Sequence, residues 1–181
     1  MNLHQLLLER HSIRRYTDQP VNADDVKTIL EAALLAPSSK SKRPWQFIVV
    51  EDKDTLTALS KVKQYGAHAI ADAQFAVAVV TNPEESDVFV EDASVAAIFM
   101  HIQAAALGIG SCWIQIRNRF SEDGEPAEVM VQNLLNIPQY LPVECIMTFG
   151  YSAENRKPVD PDKLLWEKVH IGTWKETEET K

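Results

Sequence analysis

Cysteine is scarce in this sequence, and the motifs that cysteine usually builds are missing. Only Cys112 and Cys145 occur among 181 residues, and they do not form a Cys-x-x-Cys pair. The five histidines are scattered, so the spacing excludes the common zinc-binding patterns and we predict no metal site. Both cysteines stand in apolar surroundings, which indicates reduced core residues of a cytoplasmic protein. A reactive thiol is the alternative.

Long uncharged hydrophobic runs are also absent, which excludes a membrane-spanning helix. The N-terminal residues lack a basic region followed by an apolar stretch, so they do not resemble a secretory signal. The length and the composition, with 45% hydrophobic and 24% charged residues, are typical of one globular domain. We therefore expect a cytoplasmic protein whose single domain covers residues 1–181, with residues 174–181 as a frayed tail.

Basic residues are outnumbered by acidic ones, 18 against 26, and the net charge is −8. Such a chain is poorly suited to nonspecific nucleic-acid binding, and no nucleic-acid partner is expected. The charge is uneven, because residues 1–63 hold ten basic and eight acidic residues and the remainder holds eight and eighteen. A basic first third in an acidic protein indicates a local anion site, with plain solvation of each charge as the alternative.

Hydrophobic periodicity predicts a chain in which strands are mostly separated by helices. Helices are predicted over residues 2–9, 22–36, 54–61, 86–107 and 126–135, and strands over 46–51, 75–81, 111–116 and within 142–150. This order favours an α/β or α+β fold with one central sheet and helices packed around it.

The helix predicted over residues 86–107 is apolar almost all round beyond Asp92. Such a helix must be covered on most sides, and a partner subunit or the centre of a single domain could provide the cover. His101, within this stretch, is interpreted as a core or interface histidine rather than a ligand. Gly108 and Gly110 end the helix. Because no strand precedes them, they do not form a dinucleotide-binding motif.

Two basic, hydroxyl-rich segments carry the candidate chemistry. In residues 10–16 an extended backbone would place Arg10, Ser12 and Arg14 on one face, and two guanidinium groups with a hydroxyl suit a phosphate. Residues 37–45 hold three hydroxyls, three cations and a tryptophan. Together the segments predict a site for a phosphorylated, planar cofactor, and therefore an enzyme.

Four motifs in register make this chain similar to the nitroreductase family of flavin enzymes. They are Arg-His-Ser-Ile-Arg-Arg-Tyr at 10–16, Ala-Pro-Ser-Ser at 36–39 with Pro-Trp-Gln-Phe at 44–47, Ala-Leu-Gly-Ile-Gly-Ser-Cys-Trp-Ile at 106–114, and Gly-Tyr-Ser-Ala-Glu at 150–154. The resemblance implies an α+β fold with a central mixed β-sheet flanked by helices. It also implies an intertwined homodimer with FMN in each of two clefts between the subunits.

The resemblance further implies the reaction and the residues that bind the cofactor. NADH or NADPH would reduce FMN at N5, and a nitroaromatic, a quinone or a similar small acceptor would then be reduced, in a ping-pong sequence. Because the flavin carries the chemistry, no catalytic side chain is expected. The expected cofactor-binding residues are Arg10, His11, Ser12, Arg14, Pro37, Ser38, Ser39, Ser41, Cys112, Trp113, Ile114, Arg156 and Lys157.

The implied roles differ between segments. Residues 10–14 would hold the FMN phosphate, the ribityl chain and the pyrimidine edge, with His11 contributing mainly backbone. Residues 37–41 would reach the flavin of the partner subunit. Residues 112–114 would line the isoalloxazine ring, with backbone amides facing its N5/O4 edge, and residues 156–157 would add positive charge for the phosphate.

Two departures from the family pattern bear on function. Ser41 stands where many relatives have Asn, and Gln115-Ile116 stands where a larger branch of the family has Glu-Gly. The extra helices that this branch carries near its substrate cleft are absent from a chain of this length. Two alternatives to an NAD(P)H oxidoreductase therefore stay open: a flavin-binding module for storage or sensing without steady turnover, and a flavin enzyme with a different reaction.

Overall fold

The computed structural model describes residues 2–174 and shows an α+β fold built on one four-stranded sheet. The strands are β1 Trp45–Val50, β2 Phe75–Thr81, β3 Gly110–Gln115 and β4 Val143–Gly150. The predicted class, a central sheet flanked by helices, is confirmed, and each predicted strand is present. The predicted frayed tail lies outside the described residues, apart from Trp174.

The strands lie in the order β1-β2-β4-β3, and each pair of neighbours is antiparallel. Within residues 2–174, parallel pairing is confined to an isolated bridge between Ser12 and Ser111, so the sheet is mixed at that bridge alone. Periodicity carries no information on strand order, and β4 inserts between β2 and β3. As a result β3 is an edge strand, and the N-terminal segment lies along its open side.

The helices are α1 Leu3–Glu9, α2 Ala23–Leu34, α3 Lys53–Leu59, α4 Ala69–Asp72, α5 Phe89–Ala106 and α6 Ala127–Leu135. The side chains of Asn2, Asn22 and Asp52 cap α1, α2 and α3 by accepting a hydrogen bond from a backbone N–H three residues later. Helix α4 escapes prediction because four residues are too few to show a helical period. No helix in the described part of the chain is long and apolar enough to cross a membrane.

Each face of the sheet carries its own core. Helices α2 and α5 cover one face, where Ile29 and Met100 are fully buried. Helices α3, α4 and α6 belong to the core on the other face, with Leu56 and Ile70 fully buried. Strand β2 is buried along its whole length, which explains why its sequence is an uninterrupted apolar run. The sheet is therefore covered on both faces, and its two edges are β1 and β3.

Helix α5 begins at Phe89 rather than at Ser86, because the Ser86 side chain makes a tertiary contact instead. Its Oγ donates a 2.8 Å hydrogen bond to Asp92 Oδ2. One side of α5 packs closely on the rest of the chain through small residues. The buried alanines on this side are Ala93, Ala96, Ala97 and Ala104.

A second side of α5 leaves apolar side chains in solvent. Val95, Ile98 and Phe99 are 37%, 43% and 38% exposed, and Leu7 of the neighbouring α1 is 44% exposed. We call these four residues the α5 strip. The described part of the chain therefore leaves one side of α5 uncovered. Burial of this helix at the centre of a single domain, which was the alternative, would require cover on all sides.

Candidate active site

The segment of residues 10–16 lies against β3 and the chain after β4, which it meets at isolated bridges between Ser12 and Ser111 and between Tyr16 and Ser152. Its backbone is joined to the sheet by hydrogen bonds from Ile13 N–H to the Ser111 carbonyl, 3.0 Å, and from Thr17 N–H to the Tyr151 carbonyl, 2.8 Å. Arg10 and Ser12 line cavities beside this segment, while Ile13 and Tyr16 are both buried in the core; that Arg10, Ser12 and Arg14 share one face stays a prediction.

Two glycines opposite each other in the sheet let this segment approach the strands. Gly110 of β3 pairs with Gly150 of β4. A Cβ on Gly150 would lie 2.9 Å from Tyr16 Cδ1, and a Cβ on Gly110 would lie 3.0 Å from three side-chain atoms of Ile13. Gly110 therefore serves close packing, and the helix stop is Gly108, whose φ of +73° lies in the left-handed region.

Tyr16 and Glu154 hold the far end of the segment. The buried Tyr16 hydroxyl donates to the Ile13 carbonyl at 2.7 Å and lies 2.7 Å from Thr148 Oγ1, and burial raises the pKa of Tyr16. Glu154 Oε1 accepts hydrogen bonds from the backbone N–H groups of Arg14 and Arg15, at 2.9 and 3.0 Å. These bonds, first of all that from Arg14, lower the pKa of Glu154.

Arg156, one of the residues predicted to bind phosphate, is tied to the same glutamate. Its Nε and Nη2 donate to Glu154 Oε2 at 2.8 and 2.6 Å. The predicted Lys157 meets the N-terminal segment through its backbone, because its carbonyl lies 2.8 Å from His11 Nε2. His11 was expected to contribute mainly its backbone. Its side chain also links the chain after β4 to the segment of residues 10–16.

The Arg10 side chain is hydrogen-bonded to the buried His101. The sequence predicted this histidine to lie in the core or at an interface. Arg10 Nη1 donates to His101 Nε2 at 2.7 Å, and His101 Nδ1 is hydrogen-bonded to Ser111 Oγ. His101 and Ser111 are both buried. Burial, with the Arg10 charge as a second cause, lowers the pKa of His101 to about 4, so the ring is neutral at physiological pH.

Two cavities meet at Arg10. The first, of about 280 Å³, is polar on one side and opens between the N-terminal segment, the end of α5 and the chain after β4. The second, of about 370 Å³, is lined by Leu7, Arg10, Ser12, Ile98, His101, Ile102 and Trp113. The polar residues that line the first are Glu9, Arg10, His11, Ser111, Ser152, Glu154, Asn155 and Arg156.

Strand β3 offers backbone donors at its open edge. Because the Ser111 carbonyl faces the N-terminal segment and the direction alternates along a strand, the backbone N–H groups of Trp113 and Gln115 point to the same edge. Lys63 Nζ confirms this direction by donating to the Gln115 carbonyl at 3.2 Å. By the same alternation, the backbone N–H of Ile114 points toward β4, and its side chain lies in the core.

Both cysteines are buried free thiols, as predicted. Burial raises the pKa of Cys112 and raises that of Cys145 well above its usual range, so neither is a reactive thiolate. No group of three metal-ligating side chains occurs among residues 2–174.

The second predicted segment lies away from these cavities, at the other end of α5. Ser39 N–H donates to the buried Asp92 Oδ1 at 2.7 Å, and Arg43 N–H donates to Ser38 Oγ at 2.8 Å. Asp92 and His101 are nine residues apart on α5, about 14 Å along the helix axis. Pro37, Ser38, Ser39 and Ser41 therefore do not line the cavities at Arg10 of the same chain.

This loop is also strained. Lys40, Ser41 and Arg43 have φ values of 49°, 55° and 51°, in the left-handed region that non-glycine residues rarely adopt. Asp92, which accepts from Ser39 and from Ser86, fixes the loop.

Comparison with known proteins settles the family. The model of the Nitroreductase family matches residues 7–76 and 57–151. The chain belongs to the nitroreductase family. An FMN-dependent nitroreductase from Clostridium difficile R20291 has a solved structure with 42% sequence identity and a TM-score of 0.92, and the match covers 94% of this chain and 99% of that chain.

Two further relatives agree with this membership of the nitroreductase family. A protein of Archaeoglobus fulgidus, named as a candidate NADH dehydrogenase/NAD(P)H nitroreductase, is 31% identical over 175 residues, which are 94% of this chain and 97% of the relative. A nitroreductase family protein from Clostridium novyi NT is 25% identical with a TM-score of 0.74, over 85% of this chain and 87% of that chain. The family predicted from the four motifs is confirmed.

The buried histidine of this nitroreductase-family chain predicts a pH-dependent stability. The pKa of His101 is lowered from 6.5 to about 4 in the folded chain, so below pH 6.5 the unfolded chain binds a proton that the folded chain does not. Stability is therefore lost as the pH falls from about 6.5 to about 4, by as much as about 3 kcal/mol. Urea unfolding across this range should show a smaller loss for His101→Gln. Equal slopes for the two proteins would contradict the assignment.

Proposed function

We propose that this protein is an FMN-dependent oxidoreductase that passes a hydride from NAD(P)H to a small acceptor, such as a nitroaromatic or a quinone, by a ping-pong mechanism. One observation carries the proposal: the segment that holds Arg10, Ser12 and Arg14 is bonded to β3, and there Arg10 lines two cavities and Ser12 lines one of them. The name of the Clostridium difficile relative, an FMN-dependent nitroreductase, supports FMN as the cofactor of this chain.

The residues present fit a phosphorylated flavin. Within the part of the chain that the structure describes, Arg10 and Arg14 form no ion pair with a carboxylate, so their charge is available to an anion. Arg10 lines the polar cavity of about 280 Å³, where it would hold the phosphate. Ser12 would bind the ribityl chain, and Arg14 would face the pyrimidine edge.

Arg156 and Lys157 would have lesser roles than the resemblance implies. The Arg156 charge is already opposed by Glu154 at 2.6 Å, which leaves it a weaker attraction for phosphate. Lys157 would act through its long, exposed side chain. Both would add to the positive field at the cavity without defining its geometry.

The open edge of β3 would position the ring. The N–H groups of Trp113 and Gln115 would donate to the N5/O4 edge, and the adjacent Cys112 and Ile114 would support the strand from the core. When bound, FMN supplies the hydride chemistry, accepting from NAD(P)H and giving to the acceptor. Donors aimed at one edge and the Arg14 cation at the other would stabilise the negative charge of the reduced cofactor.

The proposed assembly is a homodimer in which each site takes residues from both chains. The α5 strip exposes apolar side chains that a second copy would cover. The segment after β4 exposes another set, tied to α1 by a hydrogen bond from Val159 N–H to the Leu8 carbonyl at 2.8 Å. Residues 37–41, remote from the cavities of their own chain, would then reach the flavin of the partner. The exposed apolar side chains of the C-terminal segment are Val159, Leu164, Leu165, Trp166, Val169, Ile171 and Trp174.

Steady-state turnover tests the proposed reaction. Purified protein loaded with FMN should oxidise NADH or NADPH continuously when menadione or a nitrofuran is supplied. Parallel lines in double-reciprocal plots at several acceptor concentrations are the expected sign of a ping-pong sequence. Reduction of the bound flavin by NAD(P)H without continued turnover would instead support a flavin-binding module for storage or sensing.

Arg14→Ala should weaken FMN binding about tenfold or more. The variant removes one charge-assisted hydrogen bond, which contributes about 1.5–3 kcal/mol. Fluorescence titration of FMN measures the dissociation constant. Arg15→Ala is the matched control, because it removes the same charge from the next residue, to which no cofactor contact is assigned. An unchanged FMN affinity in Arg14→Ala, or an equal loss in both variants, would contradict the assigned role.

A further inference from the structure

We propose that His101 is a positioning residue for the phosphate site: it fixes the Arg10 guanidinium so that Arg10 distinguishes FMN from flavins that lack a phosphate. This inference rests on the proposed function, because it concerns the same cofactor. It goes further by assigning phosphate discrimination to a buried helix residue that acts through Arg10.

The hydrogen bonds fix the tautomer of the ring. A guanidinium group can only donate, so His101 Nε2, 2.7 Å from Arg10 Nη1, must be the acceptor. Nδ1 then carries the proton and donates to Ser111 Oγ. Arg10 thus donates to His101, and His101 donates to Ser111. These two hydrogen bonds link the segment of residues 10–16 through α5 to β3.

A neutral acceptor under Arg10 has a specific consequence. A carboxylate at this place would neutralise the guanidinium and compete with phosphate, whereas a neutral imidazole orients it and leaves its charge intact. The low pKa of His101, about 4, keeps the ring neutral over the working range. The charged group hydrogen-bonded to the ring is Arg10 itself, and the other residues that line the cavity at His101 are uncharged: Leu7, Ser12, Ile98, Ile102 and Trp113.

Orientation matters because an arginine side chain has many rotamers. Immobilising such a side chain on binding costs about 0.5–1.5 kcal/mol. Because one N–H of Arg10 is already bound to His101, much of that cost is met before a ligand enters the cavity that Arg10 lines. Loss of the acceptor should therefore weaken phosphate binding about three- to tenfold.

The test compares the affinities of FMN and riboflavin, measured by fluorescence titration of protein from which bound flavin has been removed. His101→Leu deletes the acceptor and should lower the preference for FMN over riboflavin about three- to tenfold, with little change in riboflavin affinity. His101→Gln is the matched control, because its Oε1 can accept from Arg10 at the place of Nε2, and it should retain most of the preference. Thermal melting of each variant reports any general loss of stability.

A double-mutant cycle separates positioning from general packing. In an Arg10→Ala background, His101→Leu should have no further effect on the FMN-to-riboflavin ratio. An unchanged ratio in His101→Leu alone, or an equal loss with and without Arg10, overturns the inference while the proposed function stands. If His101→Leu does not fold, Ser111→Ala takes its place and should lower the ratio less. Failure of the wild-type protein to bind FMN would overturn the proposed function itself, and this inference with it.

Discussion

Gly150→Ala is expected to lower the free energy of unfolding by about 1–3 kcal/mol, the usual cost of overpacking, and to weaken FMN binding at least about tenfold. The added Cβ would lie 2.9 Å from Tyr16 Cδ1, 3.0 Å from Cγ and 3.1 Å from Cβ. These atoms belong to a buried ring whose hydroxyl bonds the Ile13 carbonyl. The ring cannot move without shifting residues 10–16, which carry the proposed phosphate and pyrimidine contacts.

Urea unfolding and FMN titration measure the two effects. Gly124→Ala is the control, because a Cβ there meets nothing within 4 Å, although the φ of +84° makes the substitution strained. The control should lose some stability and keep its FMN affinity. A Gly150→Ala protein with wild-type FMN affinity would show that close packing of residues 10–16 against β4 is not needed for FMN binding.

Phe99→Glu is expected to separate the proposed dimer and to release FMN. The side chain is 38% exposed in the single chain, so a glutamate there is tolerated by the fold. At an apolar interface between two copies it would place an unpaired carboxylate out of water, at a cost of about 4 kcal/mol, or about a thousandfold in the dimer dissociation constant. Because residues 37–41 would then no longer reach the partner, flavin affinity should fall with dimer content.

Sedimentation at several protein concentrations, together with the flavin content of each species, measures this result. Phe120→Glu is the matched control, since it makes the same substitution at a residue that is 56% exposed and lies outside the α5 strip. A Phe99→Glu protein that remains dimeric and retains its flavin would show that the α5 strip is not the interface.

The elements that the sequence predicted most accurately are those that depend on a pattern of residues close together in the chain. Strand β2, for example, is read directly from its apolar run. The start of α5 was predicted three residues too early, because Ser86 favours a helix start in sequence but bonds Asp92 in the fold. The order of the strands and the pairing of Gly110 with Gly150 depend on contacts between residues far apart in the chain.

The sequence suggested candidate cofactor-binding residues, but it did not reveal the residues that hold them in place. Arg10, Ser12 and Arg14 were proposed from residue type and spacing alone. Glu154 fixes the segment from 140 positions away, and His101 looks like any core histidine until the fold brings Arg10 to it. No spacing pattern in the sequence marks a supporting residue, because its role depends on which residues the tertiary structure brings beside it.

The central claim is that the face of Arg10, Ser12 and Arg14 at the edge of β3 holds FMN that NAD(P)H can reduce. The visible absorption spectrum of the purified protein, recorded without oxygen before and after NADH and NADPH, tests it most directly. The account predicts a bound flavin spectrum that is bleached by at least one of the two donors and restored by menadione. A protein that is colourless, and remains so after incubation with FMN and removal of the excess, would contradict it.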